Sequence, residues 1–245
     1  MKADPFVQAR LLDLQALDTR LQQIDHALIR VPQIAAVQEA TTRLQQVSDD
    51  VVRIETGLSD IRREVARSEA DVQQVRDRTA RNQSRLDSGQ GSAKDLTALQ
   101  HELESLARRQ AELEDVELAV MERQESAEAR LSELTARRDE VQDEVDRLVV
   151  ERDAAVGELD AERVEVARPR DELAAQIDDP LLALYERIRE HSGGLAAAEF
   201  KHGRCGGCRL ELNPVDLGTI ERAASNEVVR CEECTRILVR THSDD

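Results

Sequence analysis

Apolar side chains recur along the first half of the chain at alternating spacings of three and four residues. One such seam extends from Leu14 to Val31, and a second extends from Val47 to Leu86. This spacing is typical of helices that pack side by side in a coiled coil. Val31-Pro32 interrupts the pattern, and because proline lacks the amide donor of a continuous helix, a kink or restart is predicted there.

A short polar stretch, residues 87–92, contains two glycines and predicts a tight reversal of the chain. Ser92 with Asp95 resembles a capping box at the start of the next helix. The arms on either side, residues 5–87 and 93–167, have similar lengths and would run antiparallel, each burying its seam on the other. A parallel dimer of straight helices is the alternative, but it leaves the reversal without a purpose. We therefore predict an intramolecular hairpin that is monomeric or weakly dimeric.

The second arm has its own seam, which begins at Leu96, shifts at Val116 and Val120, and continues to Leu159. Arg168-Pro169 is predicted to end this helix. Three dipeptides place a good N-cap before a proline at the first helical position, and each predicts a helix start: Asp4-Pro5, Asp179-Pro180 and Asn213-Pro214.

The four cysteines of the chain form two C-x2-C pairs separated by 22 residues: Cys205, Cys208, Cys231 and Cys234. Two such pairs supply the four tetrahedral thiolates of one structural Zn²⁺, and a full set of thiolates leaves no position for a catalytic water. Redox dithiols or unrelated thiols are the alternatives, and the second is weak because no other cysteine exists. His202 and His242 flank the site and are interpreted as surface residues.

The segment around the cysteines predicts a small ribbon. Strand candidates are 209–212, 228–230 and 236–240, and a helical turn or two should follow Asn213-Pro214. With no substantial core, such a ribbon should need its metal to fold. The predicted fold is thus mainly α: a long kinked antiparallel coiled-coil hairpin in residues 1–177 with its turn near 87–93, a short helix and linker in 178–194, and a four-cysteine zinc ribbon in 195–245.

Charge is distributed unevenly along the chain. The formal net charge is −17, yet acidic and basic residues balance between positions 199 and 242, so only the ribbon could receive an anionic nucleic acid without general repulsion. Alternatively, its cations balance the negative zinc–thiolate centre. Phe200 is the one aromatic near the ribbon, so contact with RNA or DNA would be mainly to phosphate. The candidate nucleic-acid-binding residues are Lys201, Arg204, Arg209, Arg222, Arg230, Arg236 and Arg240.

The composition argues against a globular enzyme. Aromatic residues make up 1% of the chain and charged residues 35%, which is typical of long helices rather than of a core with a concave active site. The start of the chain has no apolar leader-like run, and no stretch is apolar enough to span a membrane. A cytoplasmic location is therefore expected, and the clustered cysteines agree with a reducing compartment.

The order of these motifs resembles a bacterial family of four-cysteine zinc-ribbon proteins with a long coiled-coil hairpin, whose best-studied members regulate flagella or secretion. The resemblance covers nearly the whole chain and is carried by Leu28–Ile34, Ala93–Ser105, Tyr185–Arg189 and Gly194–Leu238. The arginine-rich composition is similar to that of actinobacterial members. The family commonly has Cys-Pro-x-Cys-Gly at the second cysteine pair and a terminal aromatic, whereas Glu232, Thr235 and Val239 stand at those places here.

The resemblance implies a non-enzymatic adaptor of regulatory role, since some members bind an alternative sigma factor and others bind flagellin messenger RNA. A protein partner, a nucleic acid, or both, bound through ribbon and hairpin, is the function we expect. The alternative is a transcription modulator that reaches RNA polymerase through the hairpin tip, where Asp87 and Asp95 lie. Local capping and turn formation explain these two acids better, so no effect on RNA polymerase is expected. A thiol oxidoreductase is a third hypothesis.

Overall fold

The computed structural model describes residues 1–240, so His242 lies outside the described residues. The order of elements is α1 Pro5–Ile29, α2 Pro32–Asp87, α3 Ala93–Ala174, α4 Asp179–His191, β1 Ala197–Lys201, β2 Arg204–Cys205, α5 Pro214–Arg222, β3 Val229–Arg230 and β4 Ile237–Arg240. The strands form one sheet in the order β2-β1-β4-β3, in which β1 and β4 are parallel. The predicted fold, a helical hairpin followed by a small four-cysteine ribbon, is confirmed.

The described residues group into two compact units. One unit consists of Ala36–Val149, and the other joins Met1–Ala35 to the residues from Val150 onward. The N-terminal helix and the ribbon are far apart in sequence, yet they belong to the same unit. We refer to Ala36–Val149 as the hairpin unit and to the other unit as the ribbon unit.

In the hairpin unit, α2 and α3 run antiparallel and bury their seams on each other. Val51, Leu58 and Val72 are buried on α2, and Val120 and Val141 are buried on α3. Ion pairs join the two helices along their length, among them Arg43–Glu144 at 2.9 Å, Arg62–Glu128 at 3.0 Å and Arg76–Glu114 at 2.7 Å. Each exposed pair adds little stability, but the repeated arginine-to-glutamate pattern favours this alignment over a shifted one.

The reversal between α2 and α3 has the predicted chemistry. The Ser92 hydroxyl accepts a hydrogen bond from the Asp95 amide at 3.3 Å, and an Asp95 carboxylate oxygen accepts one from the Ser92 amide at 3.0 Å. Hydrogen bonds from Ser92 hold the pKa of Asp95 below its ordinary value. Gly89 has a φ of 64°, a left-handed conformation that glycine adopts readily. The predicted capping box is therefore confirmed.

Near its middle, α3 exposes three large apolar side chains and partly buries an acidic one. Val116, Leu118 and Met121 are exposed, whereas Glu117 is half-buried. The sequence placed a register shift at Val116 and Val120, but only Val120 is buried there. The hairpin therefore contains a polar, weakly packed stretch that is flanked by better packed turns.

A buried hydroxyl in the hairpin unit provides a test of seam packing. Thr79 Oγ1 is buried and has no hydrogen-bond partner, which is unfavourable because the hydroxyl loses its water. Thr79→Val keeps the side-chain shape and removes the hydroxyl, so we expect the free energy of unfolding to rise by about 1 kcal/mol. Thr97 is the matched control, because its hydroxyl is exposed and donates to the Ala93 carbonyl at 3.0 Å. Thr97→Val should give no gain in a urea denaturation of the full chain, and equal gains from both variants would contradict the explanation.

Two prolines and one predicted cap give different outcomes in the ribbon unit. The break at Pro32 is confirmed, since α1 ends at Ile29 and α2 begins at Pro32. The predicted end at Pro169 is wrong, because α3 continues through it to Ala174; tertiary packing of the last turns outweighs the missing donor. The N-cap of α4 is Asp178 rather than Asp179, and its side chain makes no capping hydrogen bond.

The core of the ribbon unit lies between helices and sheet. Leu11 and Leu14 of α1, Tyr185 of α4, and Ile237 and Val239 of β4 are at most 1% exposed and pack in one cluster. Strands β1 and β4 of the ribbon thus bury one side against these helices. The ribbon therefore has the hydrophobic support that the sequence did not reveal.

Helix α1 also presents buried polar side chains to the sheet. The Gln15 amide oxygen accepts hydrogen bonds from the Ala196 and Ala197 amides at 2.6 and 3.2 Å, and its nitrogen donates to the Gly194 carbonyl at 2.8 Å. Buried backbone groups need such partners. Gln15 therefore supplies, at the start of β1, hydrogen bonds of the kind that a neighbouring strand would supply.

A buried charged network joins α1, α3 and α4. The carboxylate of Asp18, with 2% of its side chain exposed, accepts hydrogen bonds from Arg170 Nε at 2.9 Å and from the Tyr185 hydroxyl at 2.7 Å. Burial, and then the Asp18 carboxylate, raise the pKa of Tyr185. Burial opposes the charge on Arg170, but Asp18 and Glu186 outweigh it and raise the pKa of Arg170.

Candidate metal centre and ribbon surface

The four cysteines lie on two similar turns at one end of the sheet. Cys205 ends β2 and Cys231 follows β3, and both are buried. In the first turn the Arg209 amide donates to the Cys205 carbonyl at 2.8 Å, and in the second the Thr235 amide donates to the Cys231 carbonyl at the same distance. Each C-x2-C pair is thus folded into a tight knuckle that turns both sulfurs to one side.

The sulfur positions fit a tetrahedral metal. All four Sγ atoms lie within 4.8 Å of one another, with Cys205–Cys234 at 3.7 Å and Cys208–Cys231 at 3.9 Å. Zn²⁺ binds thiolates at about 2.3 Å, which gives sulfur–sulfur edges of about 3.8 Å in a regular tetrahedron. The four cysteines therefore form one structural Zn²⁺ site, as predicted.

The thiols differ in their readiness to ionise. Burial raises the pKa of Cys205, and burial raises the pKa of Cys231 to about 12. Burial also disfavours the Cys234 thiolate, but the backbone amide and side chain of Arg236, together with neighbouring thiols, outweigh it and lower the pKa of Cys234 to about 7. One thiolate is therefore available near neutral pH, and metal binding must displace protons from Cys205 and Cys231.

Zinc affinity should accordingly increase with pH. Zn²⁺ binds thiolates, so each thiol that is protonated in the metal-free ribbon releases a proton, and affinity is lost as pH falls. Because the pKa of Cys234 is about 7, the slope of log affinity against pH should decrease by about one proton as pH rises through 7. Competition with a zinc chelator between about pH 6 and pH 8 measures this slope. An affinity independent of pH would contradict the assignment of protonated Cys205 and Cys231.

The glycines of the first knuckle allow close backbone approach. A Cβ on Gly206 would lie 2.9 Å from the Glu199 carbonyl oxygen, and a Cβ on Gly207 would lie 2.7 Å from Arg236 Cδ. The Gly206 amide donates to that same Glu199 carbonyl at 2.9 Å. The knuckle therefore packs directly on β1, and any side chain at Gly206 would separate them.

Gly206→Ala should destabilise the zinc-loaded ribbon by about 1–3 kcal/mol, because the added methyl overlaps backbone that cannot move away. Gly218 in α5 is the matched control, since its added Cβ would meet only the flexible end of Arg222 at 3.6 Å. Gly218→Ala should be neutral or slightly stabilising. Thermal unfolding of the zinc-loaded protein compares them, and an unchanged midpoint in Gly206→Ala would contradict the close approach.

Two knuckle residues adopt a left-handed conformation without being glycine. Arg209 has a φ of 63° and Thr235 a φ of 62°, and such a conformation is a clear outlier for a β-branched side chain. Both residues directly follow the second cysteine of their knuckle, and both are exposed. The chain therefore places an arginine and a threonine on the outer face of the metal centre at some cost in backbone energy.

Two of the candidate nucleic-acid-binding arginines hold the ribbon together. Arg240 donates to five backbone carbonyls in the segment 220–227, with distances from 2.7 to 3.3 Å. Arg236 donates to the carbonyls of Leu195 and Ser192 at 2.9 and 3.1 Å. These guanidinium groups satisfy carbonyls that no strand reaches, a role that the sequence did not reveal.

The other five candidate residues are exposed. Arg204 faces Glu211 at 3.5 Å, Arg222 donates to the Gly218 carbonyl at 2.7 Å, and Arg230 donates to the Thr235 carbonyl at 3.0 Å. Lys201 and Arg209 form no ion pair within the described part of the chain. Binding of nucleic acid at these residues stays a prediction.

The strand predictions for the ribbon were partly correct. Residues 229–230 and 237–240 are strands, and α5 begins after Asn213, whose side chain accepts from the Val215 and Asp216 amides at 3.0 and 2.9 Å. The predicted strand at 209–212 is wrong, because only Glu211 forms an isolated bridge there. Strand β1 was missed because alanine, glutamate and lysine are weak strand formers, and β2 was missed because it has only two residues.

The acids at the hairpin tip are both engaged locally. Asp95 belongs to the capping box, and an Asp87 carboxylate oxygen accepts a hydrogen bond from Gln83 at 2.8 Å. None of the described helices has a stretch apolar enough to cross a membrane.

Comparisons with known proteins agree with this architecture. Residues 14–193 match the family described as CT398-like coiled coil hairpin domain, and residues 204–238 match the C4-type zinc ribbon domain. An uncharacterized protein of Mycobacterium tuberculosis is 38% identical over 98% of both chains. A solved structure from Mycobacterium smegmatis is 39% identical, covers 98% of this chain and 100% of its own, and has a TM-score of 0.87.

The fold extends to a more distant protein. The structure of CT398 from Chlamydia trachomatis covers 96% of this chain and 98% of its own at 18% identity, with a TM-score of 0.70. This likeness concerns the fold alone. The family match and the mycobacterial relatives confirm the resemblance inferred from the sequence, including its actinobacterial character. The chain belongs to the CT398-like coiled-coil hairpin family and carries a C4-type zinc ribbon.

Proposed function

We propose that this chain is a non-enzymatic regulatory adaptor whose zinc ribbon binds single-stranded nucleic acid and whose acidic helical hairpin serves a protein partner. The observation that carries the proposal is that the ribbon cations form two groups, one with a structural role and one that is exposed. Arg236 and Arg240 are occupied by backbone carbonyls, whereas five other cations remain exposed around a closed metal centre. A zinc site with four thiolates supports structure rather than hydrolysis.

Two of the exposed cations, Arg209 and Arg230, are held in place by the fold of the ribbon. Arg209 is held in a left-handed turn by its knuckle, and Arg230 is fixed by its hydrogen bond to the Thr235 carbonyl at 3.0 Å. A preorganised cation loses less conformational entropy when it meets a phosphate. The excess acidity lies outside the ribbon, so the ribbon is the region where a phosphate meets no general repulsion.

RNA binding by the zinc-loaded protein tests the proposal. A fluorescently labelled single-stranded RNA of mixed sequence should bind with an affinity that falls as salt rises, because phosphate contacts release counterions. The triple variant Arg204→Gln, Arg209→Gln, Arg230→Gln should lose most of this binding. The control triple variant Arg53→Gln, Arg63→Gln, Arg109→Gln changes the net charge equally at exposed hairpin residues and should retain it.

Equal loss in both triple variants would contradict a ribbon-specific site, as would the absence of salt-dependent binding. The protein-binding half is tested separately by affinity purification from native cytosol with and without nuclease. A protein partner that survives nuclease and is retained by the ribbon triple variant supports the hairpin as its site. Loss of every partner after nuclease would overturn that half of the proposal.

A further inference from the structure

We propose that a cleft on the ribbon unit binds one nucleoside 5′-phosphate, either as a free nucleotide or as one residue of a single strand. The second form rests on the proposed function, and the first does not. The cleft has a volume of about 490 Å³ and lies among the start of α1, the end of β1, the end of α5 and Arg240. Clefts that hold small ligands span roughly 300–1,000 Å³, so one nucleotide fits and a duplex does not.

One wall of the cleft is apolar and aromatic. Phe200, Ile220 and Pro5 line it, and Phe200 is the only aromatic residue beyond position 185 in the chain. Phe200 pairs across the sheet with Cys205 on one side and Arg240 on the other, so its backbone is fixed between two strands. A half-buried ring on a rigid sheet is a suitable surface for a nucleobase, whose faces are apolar.

The β1–β2 turn supplies polar and cationic groups at the same cleft. Lys201 and His202 line it, and Lys201 pairs with Arg204 across a two-residue turn formed by His202 and Gly203. Both central residues have positive φ, 51° and 71°, as in the tight turns that join antiparallel strands. Lys201 and His202 are exposed and form no ion pair with any described residue, so both are available to a phosphate group.

The floor and the α5 side are already fixed. Gln8 is 3% exposed, and its amide nitrogen donates to the Ala3 carbonyl at 2.9 Å and the Ser225 carbonyl at 3.4 Å. Its amide oxygen accepts no hydrogen bond from the described residues and can accept one from an amino group of a base. Arg240 binds the carbonyls of Ile220, Ala223 and Ser225, so the loop that bounds the cleft is held in place before a ligand arrives.

Charge decides the orientation of the ligand. Glu221 also lines the cleft, on α5, and its carboxylate would repel a phosphate. Lys201 and His202 belong to the β1–β2 turn, so the phosphate belongs on that side and the base on the Phe200 surface. The sequence predicts contact mainly with phosphate, and the cleft adds a surface for the base.

The experiment is a titration of zinc-loaded full-length protein with AMP, UMP, ribose 5-phosphate and inorganic phosphate, followed by amide NMR and calorimetry. Nucleotides should shift the resonances of residues 199–203 and 220–225 and should bind about tenfold or more tightly than ribose 5-phosphate, because only nucleotides stack. Phe200→Leu should remove this preference, and Lys201→Gln should weaken all the phosphate-bearing ligands. Arg53→Gln, which removes an exposed cation of the hairpin unit outside the cleft, is the matched control and should bind nucleotides normally.

Since Phe200 contributes to the ribbon core, a variant that does not disturb packing is also needed. Glu221 is exposed, and Glu221→Gln should strengthen binding of AMP and UMP by removing the repulsive carboxylate. Ribose 5-phosphate that binds as well as AMP would overturn the proposal, and so would a Glu221→Gln variant that weakens nucleotide binding.

The proposed function and the cleft fail in distinguishable ways. If mononucleotides do not bind while long RNA still binds through the ribbon arginines, the cleft proposal is wrong and the proposed function stands. If mononucleotides bind and long RNA does not, the cleft stands as a site for free nucleotide and the nucleic-acid half of the proposed function is wrong.

Discussion

Removal of zinc is expected to abolish the protection of backbone amides in the knuckles and α5 while leaving the hairpin unit unchanged. The cluster around the cysteines contains few other buried side chains, chiefly Leu212, Ile220 and Leu238, so the metal must supply most of its stability. Structural zinc contributes on the order of 10 kcal/mol or more in small zinc-finger peptides. Hydrogen exchange followed by mass spectrometry, after chelation or in Cys231→Ser, measures this loss.

The loss of amide protection should be smaller in the inner strands of the sheet, β1 and β4. Ile237 and Val239 pack on the helical core rather than around the metal, so β4 should keep part of its protection. Glu232→Gln is the matched control, because Glu232 is exposed between the two cysteines of the same knuckle and should leave protection intact. Loss of protection within residues 36–149 after chelation would show that the hairpin unit depends on the ribbon, contrary to this expectation.

Asp18→Asn should destabilise the ribbon unit by about 3 kcal/mol, because it removes the buried carboxylate of the pair and leaves Arg170 with only the more exposed Glu186 and Asp171. The Tyr185 hydroxyl, which donates to the same carboxylate at 2.7 Å, would also lose its charged acceptor. Thermal and urea unfolding of zinc-loaded protein, with hydrogen exchange of α4 peptides, measure the effect. The amides of residues 36–149 should exchange as in the unmodified chain.

Asp25→Asn is the matched control for Asp18→Asn. Asp25 also lies on α1 and pairs with an arginine of α3, Arg163, at 2.8 Å, but about half of each of these two side chains is exposed. Water screens such a pair, so little change in stability is expected. If both variants had equal effects, burial of Asp18 would not be the source of the destabilisation.

Local patterns were sufficient to predict the hairpin and the metal ligands. The spacing of three and four residues, the Ser92–Asp95 cap and the spacing of the cysteines each act over a few residues, so the sequence displays them directly. Pro169 shows the limit of such reasoning. A proline in α3 is tolerated because the helix around it is packed in the ribbon unit, and packing partners distant in sequence leave no local signal.

The polar side chains of α1 show the same limit more strongly. Gln15 and Asp18 directly follow Leu14 and Leu17 of the apolar seam and resemble ordinary exposed positions in the sequence, yet both are at most 5% exposed. Their partners, Ala196 and Arg170, are more than 150 positions away. The hydrogen bonds of Arg236 and Arg240 to backbone carbonyls leave no local signal for a similar reason, since these carbonyls become neighbours of the arginines only after folding.

The discontinuity of the ribbon unit has a consequence for the order of folding during synthesis. The Met1 carbonyl accepts a hydrogen bond from the Val228 amide, and the Ala3 amide donates to the Asn226 carbonyl. Met1 and Ala3 therefore cannot form these bonds until residues 226–228 have been synthesised. The hairpin unit has all its partners once Val149 has left the ribosome, and contacts that are closer in sequence form faster. Leu11 and Leu14 lack the part of their cluster that Ile237 and Val239 provide until β4 arrives. A chain interrupted before that strand therefore leaves part of an apolar helical face accessible to chaperones and proteases, whereas a chain that includes β4 covers it.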